Sequence, residues 1–316
     1  MAKKNLEKNR NYLDIVHNMN EENLPSLCEV VLASLELFSR DKLNLIKFKD
    51  FKKPLIVGSG NAIATAKILF DDRAAIFADE TNYKKKLELD VDGVIIFSAS
   101  GGKHAPIIAQ YAKDNNFECQ LVTCTRDSQG ESVVGSKNTI ITSKNREPYT
   151  YNTSTYLGWI LAKTRENPKQ IYDFILNEID PILPNFFKKY NGFLLVLPDK
   201  FSSLEHLFEV KFIELFGRKI ARDVKTYEEM RHAITVVPSE SELAIAFGEG
   251  SFDFQGKIFS LPIPDNCDLG AFFSIVYYVI GKIQEQMPQY FKENIKNYIN
   301  RNSKGSFGKA MSVIVE

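Results

Sequence analysis

Two short stretches rich in serine and glycine carry the groups best suited to holding a phosphate. Val57-Gly58-Ser59-Gly60-Asn61 closes one apolar run, and Phe97-Ser98-Ala99-Ser100-Gly101-Gly102-Lys103-His104 closes another. Glycine lets the backbone approach a ligand closely, and N–H groups at the start of a following helix attract an anion. Ser98 and Ser100 add hydroxyl donors, and Pro106 fits only the first turn of a helix, which fixes where that helix begins. Neither stretch is a nucleotide fingerprint. The third glycine of GxGxxG would fall at Ile63, and no GKS or GKT occurs. On its own, GSGN is also a common tight turn without a ligand. Two serines and two glycines at a strand–helix junction, by contrast, serve little packing purpose, and together the two stretches read as a phosphate cradle.

Further along, a carboxylate and an imidazole are suited to moving protons. Glu214 sits on an otherwise apolar helical face with Leu207, Val210 and Leu215, where desolvation would raise its pKa toward that of a general base. The competing reading is an ion pair with Lys211 or Arg218 at helical spacing. His232 precedes the apolar run Ala233–Val237 and is either structural or an acid/base. His17 and His206 have no chemical partner in the sequence, and Glu228 and Lys219 read as solvated charges.

These groups need a scaffold, and 316 residues provide room for two domains of about 100–150 residues each. Forty basic and forty acidic residues cancel to a net charge of zero, which lacks the basic surplus of a nucleic-acid binder. A hydrophobic share of 44% supplies real cores and argues against disorder over most of the length. Cys28, Cys119, Cys124 and Cys267 have neither CxxC nor zinc spacing, so reduced, buried thiols are expected. No apolar run reaches the ~18 residues of a membrane span, and the first residues lack a signal-peptide core. A cytoplasmic protein that binds neither membrane nor nucleic acid is the expectation.

Apolar runs at 54–58, 74–79, 92–100, 118–125 and 138–143 alternate with amphipathic stretches at 63–70, 105–115 and 152–165. That rhythm predicts a parallel sheet with helices on both faces. After a proline-bearing stretch (166–190), strands are expected at 192–198, 234–238, 243–248 and 257–263. Helices are expected at 201–216, 268–286 and beyond Pro288, and a strand-like tail follows. The predicted fold class is α/β, with two doubly wound parallel-sheet domains of three layers. Residues 1–50 form an N-terminal helical segment, 51–166 the first domain, 167–190 a linker helix and 191–316 the second domain.

The pair of loops resembles the sugar isomerase (SIS) domain, in which G-x-[GS]-[TS] and S-x-S-G-x-[TS] turns hold a sugar phosphate. Gly58, Ser59, Gly60 and Asn61 match the first turn loosely, and Ser98, Ser100 and Gly101 match the second well. The stretch from Glu147 through Thr150 to Thr153 resembles the E-x-x-x-[AS]-[ST]-T opening of the family's last helix in the first domain. Glu209-Val210-Lys211-Phe212-Ile213-Glu214 resembles the E-x-K-x-x-E helix of tandem-SIS isomerases, Glu229–His232 their E-x-x-H, and Ala310–Glu316 the terminal A-K-S-V-T-V-E of the isomerase half of glucosamine-6-phosphate synthase. The resemblance implies substrate binding at these loops with Thr150 and Lys211, Glu214 as base, and His232 as acid/base reaching the neighbouring subunit of a homodimer.

Two departures stand out. Lys103 occupies the phosphate-threonine position, where it either adds charge against a phosphate or fills the site. Met311 occupies the position of the imine lysine, with Lys309 two residues earlier. Aldose–ketose isomerisation through a cis-enediol needs one base over two adjacent carbons and an anchored phosphate. It implies no metal or organic cofactor. A phosphosugar-binding regulator and an amino-sugar-phosphate deaminase remain the alternatives.

Overall fold

The computed structural model describes residues 11–41, 46–302 and 311–316. The chain forms two compact units, each built on its own parallel sheet. One comprises Asp41–Lys144 and Thr155–Arg165. Its strands are β1 (Leu55–Gly58), β2 (Ile76–Ala78), β3 (Val94–Phe97), β4 (Cys119–Thr123) and β5 (Thr139–Ile141), in the order β2-β1-β3-β4-β5, all parallel. β1, β3 and β4 are covered on both faces, which is why they read as unbroken apolar runs. On one face, Leu55, Val57, Val94, Ile96 and Leu121 pack with Ala105, Ile108, Ala109 and Ala112 of the helix His104–Asp114. On the other, Phe97 meets Phe70 and Trp159 edge-on at 6.2 and 5.3 Å. The chain leaves β1 toward β2 on one side and leaves β3 toward β4 on the other. The switch in strand order therefore lies between β1 and β3.

The other unit comprises the chain through Arg40, Asn145–Ser154, and Glu166 onward. A two-residue strand β6 (Glu147–Pro148) pairs antiparallel with β11 (Ile314–Val315). The main sheet holds β7 (Gly192–Leu197), β8 (Ala221–Thr226), β9 (Ser239–Phe247) and β10 (Gly256–Leu261), all parallel. Its order, β8-β7-β9-β10, repeats that of β2-β1-β3-β4. One face carries Leu194, Val196, Ala244 and Ala246 against Tyr227 and Met230. Phe193 stacks on Phe212 of the helix Glu205–Phe216, and Phe247 packs edge-on to Phe272 of the helix Leu269–Gln286. The N-terminal helix Leu27–Arg40 crosses that last helix at Gly281, where an added Cβ would fall 2.1 Å from the Cys28 nitrogen. Residues 166–190, expected as a linker helix, begin as the helix Pro168–Phe174, widen into a π turn over Ile175–Ile179 and break at Asp180–Ile182 before Pro184.

One expected strand is corrected. Residues 234–238 form no strand; Ile234, Val236 and Val237 stand exposed in a loop after the helix Tyr227–His232. The sheet position is taken instead by Ala221–Thr226. Its polar, half-exposed side chains suit the edge of a sheet and hide it from an apolar pattern.

The start of the helix Glu205–Phe216 carries a pH-dependent cost. Burial first, and then the Glu229 carboxylate, push Glu205 up to about 7 against an opposing Lys225, with Glu209 and Asp223 adding to the rise. The folded state then keeps a proton that the unfolded chain has released above its ordinary ~4.3. This contribution to stability is therefore lost as pH rises from about 4.5 to 7. Glu205→Gln is expected to raise the urea midpoint at pH 8, by on the order of 1 kcal/mol after solvent screening, and to change little at pH 4.5. Equal effects at both pH values would refute the assignment.

Candidate functional site

The two Ser/Gly loops sit side by side. Gly58 ends β1 opposite Phe97 of β3 in the parallel register, so both loops leave the carboxyl edge of the sheet at its switch point. Gly58 is tightly enclosed, since a Cβ would lie 3.0 Å from the Ile63 nitrogen and 3.1 Å from the Phe97 carbonyl oxygen, both backbone atoms. Each loop runs straight into a helix, Asn61–Leu69 and His104–Asp114. The caps of the two helices share a backbone shape: Gly60 at φ 53°, ψ −128° and Lys103 at φ 53°, ψ −109°. A non-glycine residue held there carries strain of about 1–3 kcal/mol, a cost that clusters at functional sites.

The second loop is braced from behind. The Gly101 nitrogen donates to the Ser98 carbonyl at 3.0 Å, and the Gly102 nitrogen to Ser100 Oγ at 3.3 Å. Thr123 Oγ1 and Thr125 Oγ1 both donate to the Ala99 carbonyl, at 3.1 and 3.3 Å. Ser128 fills the space beneath Gly101, where a Cβ would fall 2.2 Å from its Oγ. Ser100 and Lys103 stay exposed, Ser59, Asn61 and Ser98 are half-buried, and Gly101 is buried. The bracing groups Thr123, Thr125 and Ser128 escaped the sequence reading. Their signal was the polar run after β4, which must leave the same sheet edge as the serines of β3.

In the other unit the structure gathers Glu147, Thr150, Lys211 and Glu214. Lys211 is fully buried on the helix Glu205–Phe216. Its Nζ donates to the Thr150 carbonyl at 2.9 Å, the Tyr151 carbonyl at 2.9 Å and Glu214 Oε2 at 2.6 Å. A lysine has three donors. Lys211, expected among the substrate-binding groups, is thus occupied within the fold and acts as an anchor. Two successive carbonyls turn toward one ammonium because Thr150 adopts φ 75°, an outlier for a β-branched residue. Glu214 faces this lysine at an i, i+3 spacing and is 19% exposed, so it is half-buried beside a charge rather than lying against a purely apolar wall.

The turn is itself clamped. Gln284 Nε2 donates to Tyr151 Oη at 2.9 Å while Gln284 Oε1 accepts from the Leu27 nitrogen at 2.9 Å. Glu147 accepts from the nitrogens of Thr153 and Ser154, both at 2.6 Å, and from the Ser154 hydroxyl. A carboxylate at a helix start satisfies otherwise orphaned amides. Burial pushes the Glu147 carboxyl up, opposed by Ser154, Thr153 and Lys211. The Thr150 hydroxyl is buried without a hydrogen-bond partner.

His232 ends the helix Tyr227–His232 and is 80% exposed; its Nε2 lies 3.3 Å from Glu228 Oε1, one turn back, rather than at Glu214. Met311 lies just before β11, and Lys309 falls outside the described residues. The second sheet's own switch point, between β7 and β9, opens onto Pro198-Asp199 and Gly248-Glu249, whose acids do not suit an anion. Cys119 and Cys267 are thiols that burial pushes up to about 11 and about 12. Among the described residues no cluster of His, Cys, Asp and Glu fits a metal ion, and no helix is long and apolar enough to cross a membrane.

This arrangement of parallel sheets covered by helices is a fold also found among solved structures named as sugar-phosphate enzymes. Three solved structures share it with the chain. The glucosamine-6-phosphate deaminase of Thermotoga maritima matches with a TM-score of 0.55 at 13% identity, over 82% of this chain and 92% of that one. The C-terminal domain of glucosamine-fructose-6-phosphate aminotransferase from Francisella tularensis gives 0.57 at 14%, over 84% and 97%. The tagatose-6-phosphate ketose/aldose isomerase of Escherichia coli gives 0.53 at 14%, over 97% and 93%. No protein-family model matches the chain, and no curated protein matches it.

Proposed function

We propose that this protein is a sugar-phosphate aldose–ketose isomerase with two tandem SIS-like domains, 51–166 and 191–316. The reading is carried by the two Ser/Gly loops lying together at the β1/β3 switch point. Ser98, Ser100, Gly101 and the Gly58–Asn61 backbone hold the phosphate, and Lys103 adds a positive charge at its rim. Glu214 is the base that moves a proton between adjacent carbons through a cis-enediol, and Lys211 fixes the Glu214 carboxylate through Oε2. Thr150, the further binding residue that the family resemblance implies, reaches the sugar only once its buried, unpartnered hydroxyl is uncovered. His232, free of the fold's interior, serves ring opening in the neighbouring subunit of a homodimer, as the family resemblance implies. The compartment is the cytoplasm.

The experiment is a binding panel of glucosamine 6-phosphate, fructose 6-phosphate, tagatose 6-phosphate and inorganic phosphate, read by thermal shift. Ser100→Ala is expected to weaken binding of the stabilising sugar phosphate about tenfold, from one lost hydrogen bond to a charged group. Unchanged affinity across the panel would remove Ser100 from the site. The second reading, a phosphosugar-binding regulator, is favoured by Met311 at the imine position and by the strained Lys103. It predicts binding without any exchange of the proton next to the carbonyl, whereas a deaminase would release ammonia from glucosamine 6-phosphate.

A further inference from the structure

The same unit as the Lys211–Glu214 pair carries a stacked pair of partly exposed tyrosines. Tyr149 directly precedes Thr150, whose carbonyl accepts from Lys211, so the backbone brings it next to the Glu214 carboxylate. Its ring stacks on Tyr298 of the helix Tyr290–Arg301, with centroids 6.4 Å apart and planes at 30°. That helix buries Phe291, Ile295 and Ile299, and Tyr298 stands off this face at 49% exposure. Ile213, the residue before Glu214, is 38% exposed. Burial first, then Tyr298 and the Glu214 carboxylate, raise the Tyr149 phenol.

Two stacked rings left partly in water, one of them on the turn that Lys211 holds beside the half-buried Glu214 carboxylate, are a surface that a ligand could cover. Ligand pockets combine aromatic walls with a few placed polar groups, and a tyrosine supplies both in one side chain. A sugar offers the matching chemistry: C–H groups gathered on one face, hydroxyls at the edge, and a carbonyl end for the carboxylate.

We infer that Tyr149 and Tyr298 form the stacking wall of the candidate active site and select among sugars by the face they present to Glu214. The inference rests on the phosphosugar reading above. It favours sugars whose hydrogens lie on one face over epimers that turn a hydroxyl onto the rings.

The test uses the full chain with ring-13C-labelled tyrosine, titrated with the three sugar phosphates and with inorganic phosphate. The best-binding sugar phosphate is expected to shift the Tyr149 and Tyr298 ring signals. Tyr298→Ala is expected to weaken it about tenfold, Tyr298→Phe to bind it within about twofold, and both to keep wild-type affinity for inorganic phosphate. Wild-type sugar affinity in Tyr298→Ala overturns the inference and leaves the phosphosugar reading intact. Equal loss of inorganic phosphate in that variant also overturns it, as damage to the fold. Dissociation of a dimer as its sole effect overturns it in favour of a subunit contact. A wild-type protein that binds no sugar phosphate brings down the phosphosugar reading and the wall together.

Discussion

Glu214→Gln is expected to slow exchange of the proton next to the carbonyl in heavy water by about 10²–10⁴-fold, the range typical of losing a general base. Glutamine keeps the shape and can still accept from Lys211 Nζ, which reaches Glu214 Oε2 at 2.6 Å, but it leaves that buried ammonium without its counter-charge, so exchange is compared under conditions where the variant is shown to be folded. Affinity for the sugar phosphate should stay nearly constant, because the proposed phosphate contacts come from Ser98, Ser100 and the Gly58–Asn61 loop. Exchange that persists in the glutamine variant would move the base elsewhere. A wild type that binds sugar phosphates and exchanges no proton on any of them would replace the isomerase with the regulator.

Lys211→Met should be the most damaging single change for stability. The methionine fills a similar volume but strips a donor from two buried carbonyls and leaves Glu214 facing no cation. Removing one partner of a fully buried ion pair costs about 3–5 kcal/mol, and with Glu214 partly exposed the loss is expected toward the lower end of that range. The check is the urea midpoint of Lys211→Met, of Glu214→Gln and of the double variant. If the two groups act as one unit, the double variant should be distinctly more stable than additivity allows. A loss below about 1 kcal/mol in Lys211→Met would mean that the ammonium is not anchored as described.

Much of this was legible in the residues. The apolar strands β1, β3, β4 and β7 announce themselves because burial on both faces leaves no polar alternation to confuse the pattern. Ala221–Thr226 was not legible, since an edge strand tolerates Arg222, Asp223 and Lys225 where a central one would not. The apolar Ile234–Val237 misled for the converse reason: β-branched residues favour strands only where something covers them, and here they lie in an exposed loop. At the site, helical spacing exposed the Glu214–Lys211 pair as a possibility. It did not reveal that Lys211 also holds residues 150 and 151, because that depends on a left-handed turn at Thr150 that no propensity predicts. The compact units are discontinuous as well, with the chain through Arg40 grouped with Glu166 onward, and a linear reading of composition carries no signal for that.

The clamp on the Thr150–Tyr151 turn bears on the order in which the molecule organises itself. Its hydrogen bonds join residues 60 positions apart at Lys211, 133 apart at Gln284, and 257 apart between Gln284 and Leu27. Contacts of that span form only after large loops have closed, whereas the crossovers within each sheet close over much shorter stretches. Both sheets can therefore be assembled before the lysine has its two carbonyls. Amide exchange around residues 150–154 would then report openings well below the global unfolding free energy, while β3 and β7 exchange only with the whole. Protection of residues 150–154 equal to that of β3 and β7 would instead show that the clamp, whose residues Tyr151, Thr153 and Ser154 are fully buried, opens only with the whole molecule.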